Sequence, residues 1–150
     1  MPYATFGHGS RTFVILPGLS DGLSTVRGKA LFLEKPYAPF FEQFTVYMFS
    51  RKDGMPSGYS IRDMAADQAE ALRQLGIEKA SVMGVSQGGM IAQYLAIDHP
   101  DLVERLVLAV SVPRVNEIIE GCVNRWIGFV KQGNHKALMI DTAEKGFSEE

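Results

Sequence analysis

The chain has 150 residues, enough for one domain, and its 46% hydrophobic and 21% charged residues are the balance of an ordinary globular protein. A net charge of −2 and the lack of any Lys/Arg cluster argue against a nucleic-acid partner, whose phosphates call for a basic footprint. The single cysteine, Cys122, excludes an internal disulfide framework and fits a reducing, cytoplasmic setting. The N-terminus "MPYATFGHGSRTF" does not read as a signal peptide, and no apolar run approaches the ~20 residues of a membrane span.

In chain order, residues 3–6 and 12–16 ("TFVIL") read as two strands joined by the hairpin turn "GHGS". A polar Gly/Ser-rich loop, "PGLSDGLSTVRG", follows, and residues 30–42 read as a short helix and irregular connection broken by Pro36 and Pro39. "FTVYMF" at 44–49 is β-branched and aromatic, a buried strand, and "SRKDGMPSG" is loop. Ser60 opens a helix, with Asp63 three residues later completing a capping-box-like start. Ile61, Met64, Ala65, Ala69, Leu72 and Leu75 recur at helical spacing, and Gly76 suits the left-handed position beyond the end. "ASVMG" is the next strand. Residues 87–98 form a helix apolar nearly all round, predicted to be buried, and "RLVLAV" at 105–110 is a continuous apolar strand.

Strands alternating with helices predict an α/β fold, a mostly parallel sheet with helices on both faces. After Pro113 the strand rhythm stops. Residues 115–131 form an amphipathic helix ended by Gly133, and Asn134 caps a second helix through about Lys145, closed by Gly146. Two helices after a strand suggest an excursion over the top of the sheet. The expected division is therefore a core over 1–112 and a helical segment, the beginning of a cap, over 113–150. Ser148-Glu149-Glu150 reads as the start of a further helix, hence a truncated or cleaved chain, with a frayed tail as the alternative.

The chemistry gathers at "GVSQGG". Ser86 lies where a strand hands over to a helix, flanked by Gly84 and Gly88, the Gly-x-Ser-x-Gly pattern of a nucleophile elbow. A turn tight enough to lift a side chain above the sheet brings its neighbours too close for a Cβ. The helix N-terminus favours developing negative charge, and the Gln87 N–H, without an intrahelical partner, is one oxyanion donor. The loop after an earlier strand, Pro17-Gly18-Leu19, supplies the other: Gly18 permits close approach, and the Leu19 N–H is the candidate. A dinucleotide fingerprint fits worse, because Ser86 stands where its second glycine belongs and Thr12 where the third would follow Gly7 and Gly9.

"GVSQGGMIAQYLAIDHPDLVERLVL", with "YSIRDMAADQAEALRQLGIEKASVMG" before it, resembles the α/β-hydrolase superfamily, in particular its small esterase, enol-lactonase and iminopeptidase-like branches. The likeness covers about residues 3 to 112, and the two later helices look like the start of that family's cap. The resemblance implies hydrolysis of a small ester, thioester, lactone or amide through an acyl-enzyme on Ser86, with no cofactor and no metal. Gln87 and Leu19 would be the backbone oxyanion donors. Pro17-Gly18 replaces the family's common His-Gly, and "SRKDGMPSG" keeps a basic and glycine character without its Asp-x-Arg-Gly-x-Gly pattern.

The family order of serine, then acid, then histidine puts the last two after the cap, so neither resembles a position in these residues. His8 precedes Ser86 and reads as a solvated turn residue. His99 ends the helix that Ser86 begins, roughly 18 Å away at 1.5 Å per residue, and His135 reads as surface. Asp141 could face the pocket or solvent, and solvent is favoured. Cys122 and Trp126 share a helix face that either lines a pocket or simply packs. "RLVLAV" would leave an open sheet edge, so a C-terminal segment or a partner chain must complete the sheet and the triad; a homodimer is one form of the latter. The partner foreseen for the site is a small-molecule acyl substrate, with no nucleic acid and no membrane. The rival reading is a non-catalytic, ligand-binding or degenerate hydrolase-fold protein.

Overall fold

The computed structural model describes residues 1–19, 25–26 and 34–146, so most of the loop after Leu19, residues 30–33 of the expected short helix, and Ser148-Glu149-Glu150 lie outside the described residues. The chain divides into two compact units, Met1–Pro113 and Arg114–Glu150.

The first unit is built on a five-stranded sheet. Its strands are β1 (Tyr3–Phe6), β2 (Arg11–Leu16), β3 (Phe44–Phe49), β4 (Ala80–Val85) and β5 (Val103–Ala109), in the spatial order β1-β3-β2-β4-β5. β1 runs antiparallel to β3 and every other pairing is parallel. This is the mostly parallel α/β sheet that the alternation of elements predicts. The expected β1–β2 hairpin is not formed, because β3 lies between the two strands. The physical reason sits in "GHGS". The amides of His8 and Gly9 both donate to the Phe41 carbonyl, and a Cβ on Gly9 would lie 2.0 Å from the Gln43 carbonyl carbon. The segment spans the chain that leads into β3 and does not fold back on itself.

Alternation along β2 divides the core between two layers, as successive side chains on a strand point to opposite faces. Val14 and Leu16 join Val82, Phe49, Ala69, Leu72, Ile91 and Leu95 on one face. There α1 (Ile61–Gln74) and α2 (Gln87–Asp98) cover the sheet. Phe13 and Ile15 join Phe6, Val26, Val46 and Met48 on the other face. That layer is closed by Tyr37, Phe41 and Phe44, from and beside a 3-10 helix at Lys35–Phe40.

α1 begins as its sequence dictates. Ser60 Oγ accepts from the Asp63 amide at 3.1 Å, and the Ser60 amide donates to Asp63 Oδ2 at 2.9 Å. The Ser60 hydroxyl, which donates to Asp63 Oδ2 at 2.6 Å, and then the Ser60 amide hold the Asp63 carboxyl below its ordinary value of 3.8. Gly76 follows at φ 70, the left-handed position for which glycine suits.

α2 departs from the all-round burial its composition suggests. Gly88, Gly89, Ile91, Ala92 and Leu95 are buried, whereas Tyr94 is 37% and Ile97 68% exposed. The helix lies on one face of the sheet, so only its inward half is covered. β5 is likewise at the sheet edge, with Leu106, Val107 and Leu108 all exposed.

The second unit is a pair of helices, α3 (Glu117–Lys131) and α4 (His135–Gly146). Asn116 Oδ1 caps α3 through the Ile119 amide, and Asn134 Oδ1 caps α4 through the Ala137 amide. Neither helix buries a residue. Asp141, expected in solvent, instead accepts from Trp126 Nε1 at 2.7 Å and pairs with Arg125 at 3.3 Å, joining the two helices. Cys122 is half-buried. Among the described residues no helix is long and apolar enough to cross a membrane.

Candidate active site

Ser86 lies between the last residue of β4 and the first of α2, at φ 53 and ψ −119. A non-glycine residue at positive φ is uncommon and costs on the order of 1–3 kcal/mol. Here the surroundings hold it there. The Ser86 amide donates to Ala109 O at 2.9 Å, and the Ser86 carbonyl accepts from Ser111 Oγ at 2.8 Å and from the Gly89 amide at 2.9 Å. A serine beside a helix start ordinarily turns its hydroxyl onto the first-turn amides. Ser86 does not: its side chain makes no cap bond and the residue is exposed.

The flanking glycines are required by contact. A Cβ on Gly84 would lie 2.4 Å from Gly88 O, and one on Gly88 would lie 2.0 Å from Leu16 O and 2.5 Å from Pro17 O. The backbone leaving β2 therefore rests directly on the first turn of α2. Gly18 is the next residue along, and a Cβ built on it would be 3.3 Å from Ser86 Cβ and 3.8 Å from Ser86 Oγ. Two of the sequence-predicted features, the glycine loop after β2 and the serine turn after β4, are thus side by side. Leu19 is 54% exposed at the end of that loop, and Gln87 is half-buried as the first residue of α2.

One residue of this site was not legible in the sequence. Arg51, directly after β3, donates from Nη2 to Pro17 O at 2.6 Å and to Gln87 Oε1 at 3.3 Å. The arginine in "SRKDGMPSG" reads as a loop cation, and only the sheet order, which puts β3 beside β2, brings it here. Its neighbour Lys52 is tied to α1: Nζ lies 3.1 Å from Asp67 Oδ1, and Tyr59 donates to Asp67 Oδ2 at 2.7 Å. Hydrogen bonding to Asp67 raises both the Lys52 ammonium and the Tyr59 phenol above their ordinary values. On the far side, Gln93 Nε2 donates to Gly89 O and Val112 O, tying α2 to the chain that leaves β5.

The histidines lie elsewhere. His8 is exposed before β2, at the end opposite Pro17 along a six-residue strand of roughly 20 Å. His99 ends α2, with Nδ1 3.4 Å from Arg73 Nη2. His135 is exposed at the first position of α4, in the second unit. Among the described residues no group of three or more His, Cys, Asp or Glu side chains is arranged to hold a metal ion.

Comparison with known proteins identifies the family. Residues 12–134 match the model of the alpha/beta hydrolase fold family. RutD of Serratia proteamaculans, a provisionally assigned carbamate hydrolase, is 34% identical over 110 residues, which are 69% of this chain and 40% of that protein. A soluble epoxide hydrolase of a Corynebacterium species is 38% identical over 77 residues, 48% of this chain and 27% of that one. The chain thus spans 40% or less of the length of these two relatives. Among solved structures, the α/β-hydrolase MGS-M2 from a Medee basin deep-sea metagenome library superposes with a TM-score of 0.79 at 22% identity, over 95% of this chain and 52% of that one. The match covers both the β2 loop and the serine turn, and the chain belongs to the alpha/beta hydrolase fold family.

Proposed function

We propose that these residues are the nucleophile-bearing part of a serine hydrolase that cleaves a small ester, thioester, lactone or amide through an acyl-enzyme on Ser86. The observation that carries the reading is the Ser86 backbone at φ 53, which exposes a hydroxyl with no capping bond beside Gly18. In this reading Ser86 Oγ attacks the acyl carbon and the carbonyl oxygen gains charge. The backbone amides of Gln87, at the positive end of α2, and of Leu19, in the facing loop, stabilise that charge. The base takes the serine proton and delivers it to the leaving group as the bond to the acyl carbon breaks, and water, deprotonated by the same base, then releases the acyl group and restores the serine hydroxyl. No step needs a cofactor. The base and acid come from outside these residues, from a further segment of the chain or from a partner, because His8 and His99 stand at the wrong ends of β2 and α2. In this reading residues 113–150 are the beginning of a helical cap, and the protein works in the cytoplasm.

The test uses the full-length protein and a fluorophosphonate probe. Wild type is expected to carry the adduct on Ser86, and Ser86→Ala to lose both adduct and p-nitrophenyl acetate turnover, by ~10⁴-fold or more. A folded wild-type protein without the adduct would instead indicate a non-catalytic binding scaffold. Residues 1–150 alone are expected to show little or no turnover.

A further inference from the structure

We propose that Arg51 is a positioning residue that sets the oxyanion-binding loop against the nucleophile turn; this rests on the serine-hydrolase reading above. The two oxyanion donors of that reading sit on separate segments, Leu19 after β2 and Gln87 after β4. Both must face one oxygen at about 2.7–3.1 Å for the charge to be stabilised. The Gln87 amide is fixed by the ladder and carbonyl bonds of the serine turn. The Leu19 amide is reached through two residues that do little to fix its direction. It follows Gly18, which has no side chain to restrict its dihedrals, and Pro17, which has no N–H to donate.

Arg51 supplies the missing anchor through the one polar backbone group Pro17 has. Its Nη2 donates to Pro17 O at 2.6 Å, a short bond strengthened by the guanidinium charge. Because the peptide unit is planar, holding the Pro17 carbonyl also fixes the direction of the Gly18 N–H on the other side of the same plane. That leaves the Gly18 dihedrals as the only freedom before the Leu19 amide. The same Nη2 lies 3.3 Å from Gln87 Oε1, so one guanidinium spans both donor segments. Its own base is firm. Ser50 is buried at the end of β3 and accepts from the Val26 amide at 2.9 Å, and Lys52 is locked to Asp67 on α1. Arg51 thus ties together the ends of three adjacent strands, β3, β2 and β4, at the edge of the site. Both bonds come from one atom of a rigid guanidinium, and a lysine Nζ on its flexible four-carbon stem would not be held at that point.

The experiment compares Arg51→Met and Arg51→Lys with wild type and Ser86→Ala in the full-length protein. It measures kcat and KM for p-nitrophenyl acetate, inhibition by a trifluoromethyl ketone that forms an oxyanion adduct with the serine, and the thermal midpoint. For Arg51→Met, kcat is expected to fall by ~10–100-fold with KM held within about twofold, and the inhibitor to weaken by the same factor as kcat. Arg51→Lys is expected to fold as wild type and recover only part of the loss, so it carries the test if Arg51→Met does not fold. Either of two results overturns the proposal: kcat and inhibitor affinity near wild type in a folded Arg51→Lys, or a rise in KM with kcat unchanged, which would make Arg51 a substrate-binding group. Retention of adduct and turnover by Ser86→Ala would overturn the hydrolase reading itself, whatever the Arg51 variants do.

Discussion

Helices α1 and α3 have much in common as sequence. Each is amphipathic, each is N-capped by a polar side chain, and they run 14 and 15 residues. Their surroundings differ completely. α1 buries Ala65, Gln68, Ala69 and Leu72 against the sheet, while α3 buries nothing and leaves Ile118 77% exposed. Periodicity therefore declares that a helix has an apolar face and says nothing about what that face meets. The glycines of the two units differ in the same way. Gly84 and Gly88 are pressed on by backbone atoms, whereas Gly121 and Gly128 of α3 have nothing within 4 Å of an added Cβ.

The largest effect that would test this contrast comes from the glycines. Gly88→Ala forces a methyl group to 2.0 Å from Leu16 O, so we expect a loss above about 4 kcal/mol and failure to accumulate as folded protein. Gly121→Ala or Gly128→Ala, in an open helix interior, should instead raise stability by ~0.5–1 kcal/mol. Circular dichroism melts would show both, and a tolerated Gly88→Ala would break the comparison.

Next in size is the pair of aliphatic truncations. Leu72 is fully buried, and Leu72→Ala should cost ~2–5 kcal/mol in urea unfolding. Ile118→Ala should stay within about 0.5 kcal/mol. Equal losses would mean that α3 is as well covered as α1.

The smallest effect concerns the caps. Asp63 is held below its usual range by Ser60, so its contribution is full above the unfolded value of 3.8 and is lost as pH falls through the folded one. Asp63→Asn should lower the thermal midpoint at neutral pH, with the gap to wild type closing in strong acid. The α3 cap is the Asn116 amide, which does not titrate. Substituting Asn116→Ala should lower the midpoint by an amount that does not close in that range.

What could be read in the sequence was local. The Ser60 box and the Asn134 cap each depend on residues within four positions of one another, and the Gly84, Ser86 and Gly88 signature of the turn falls in an equally short span, although Ala109, Ser111, Leu16 and Pro17 hold that turn from far along the chain. Strand order was not legible, because β3 enters between β1 and β2 through pairings 40 to 46 residues apart on one side, as Tyr3↔Phe49 and Phe6↔Val46, and 33 apart on the other, as Arg11↔Phe44. Arg51 was hidden for the same reason: its acceptors are 34 and 36 residues away in different directions. Asp141 was misjudged because its indole partner lies on the other helix of its pair, 15 residues back.

Among the described residues, positive φ falls on glycine everywhere except at Ser86 and Val110. These two are neighbours in register, each following one member of the paired residues Val85 and Ala109. The sheet therefore bends twice at the same level, once in each of two adjacent strands. Seen as a matter of entropy, the chain has settled the direction of the Ser86 side chain during folding, by fixing its backbone. If Ser86 is the nucleophile proposed above, its backbone is already set and only the χ1 torsion is left to place its Oγ.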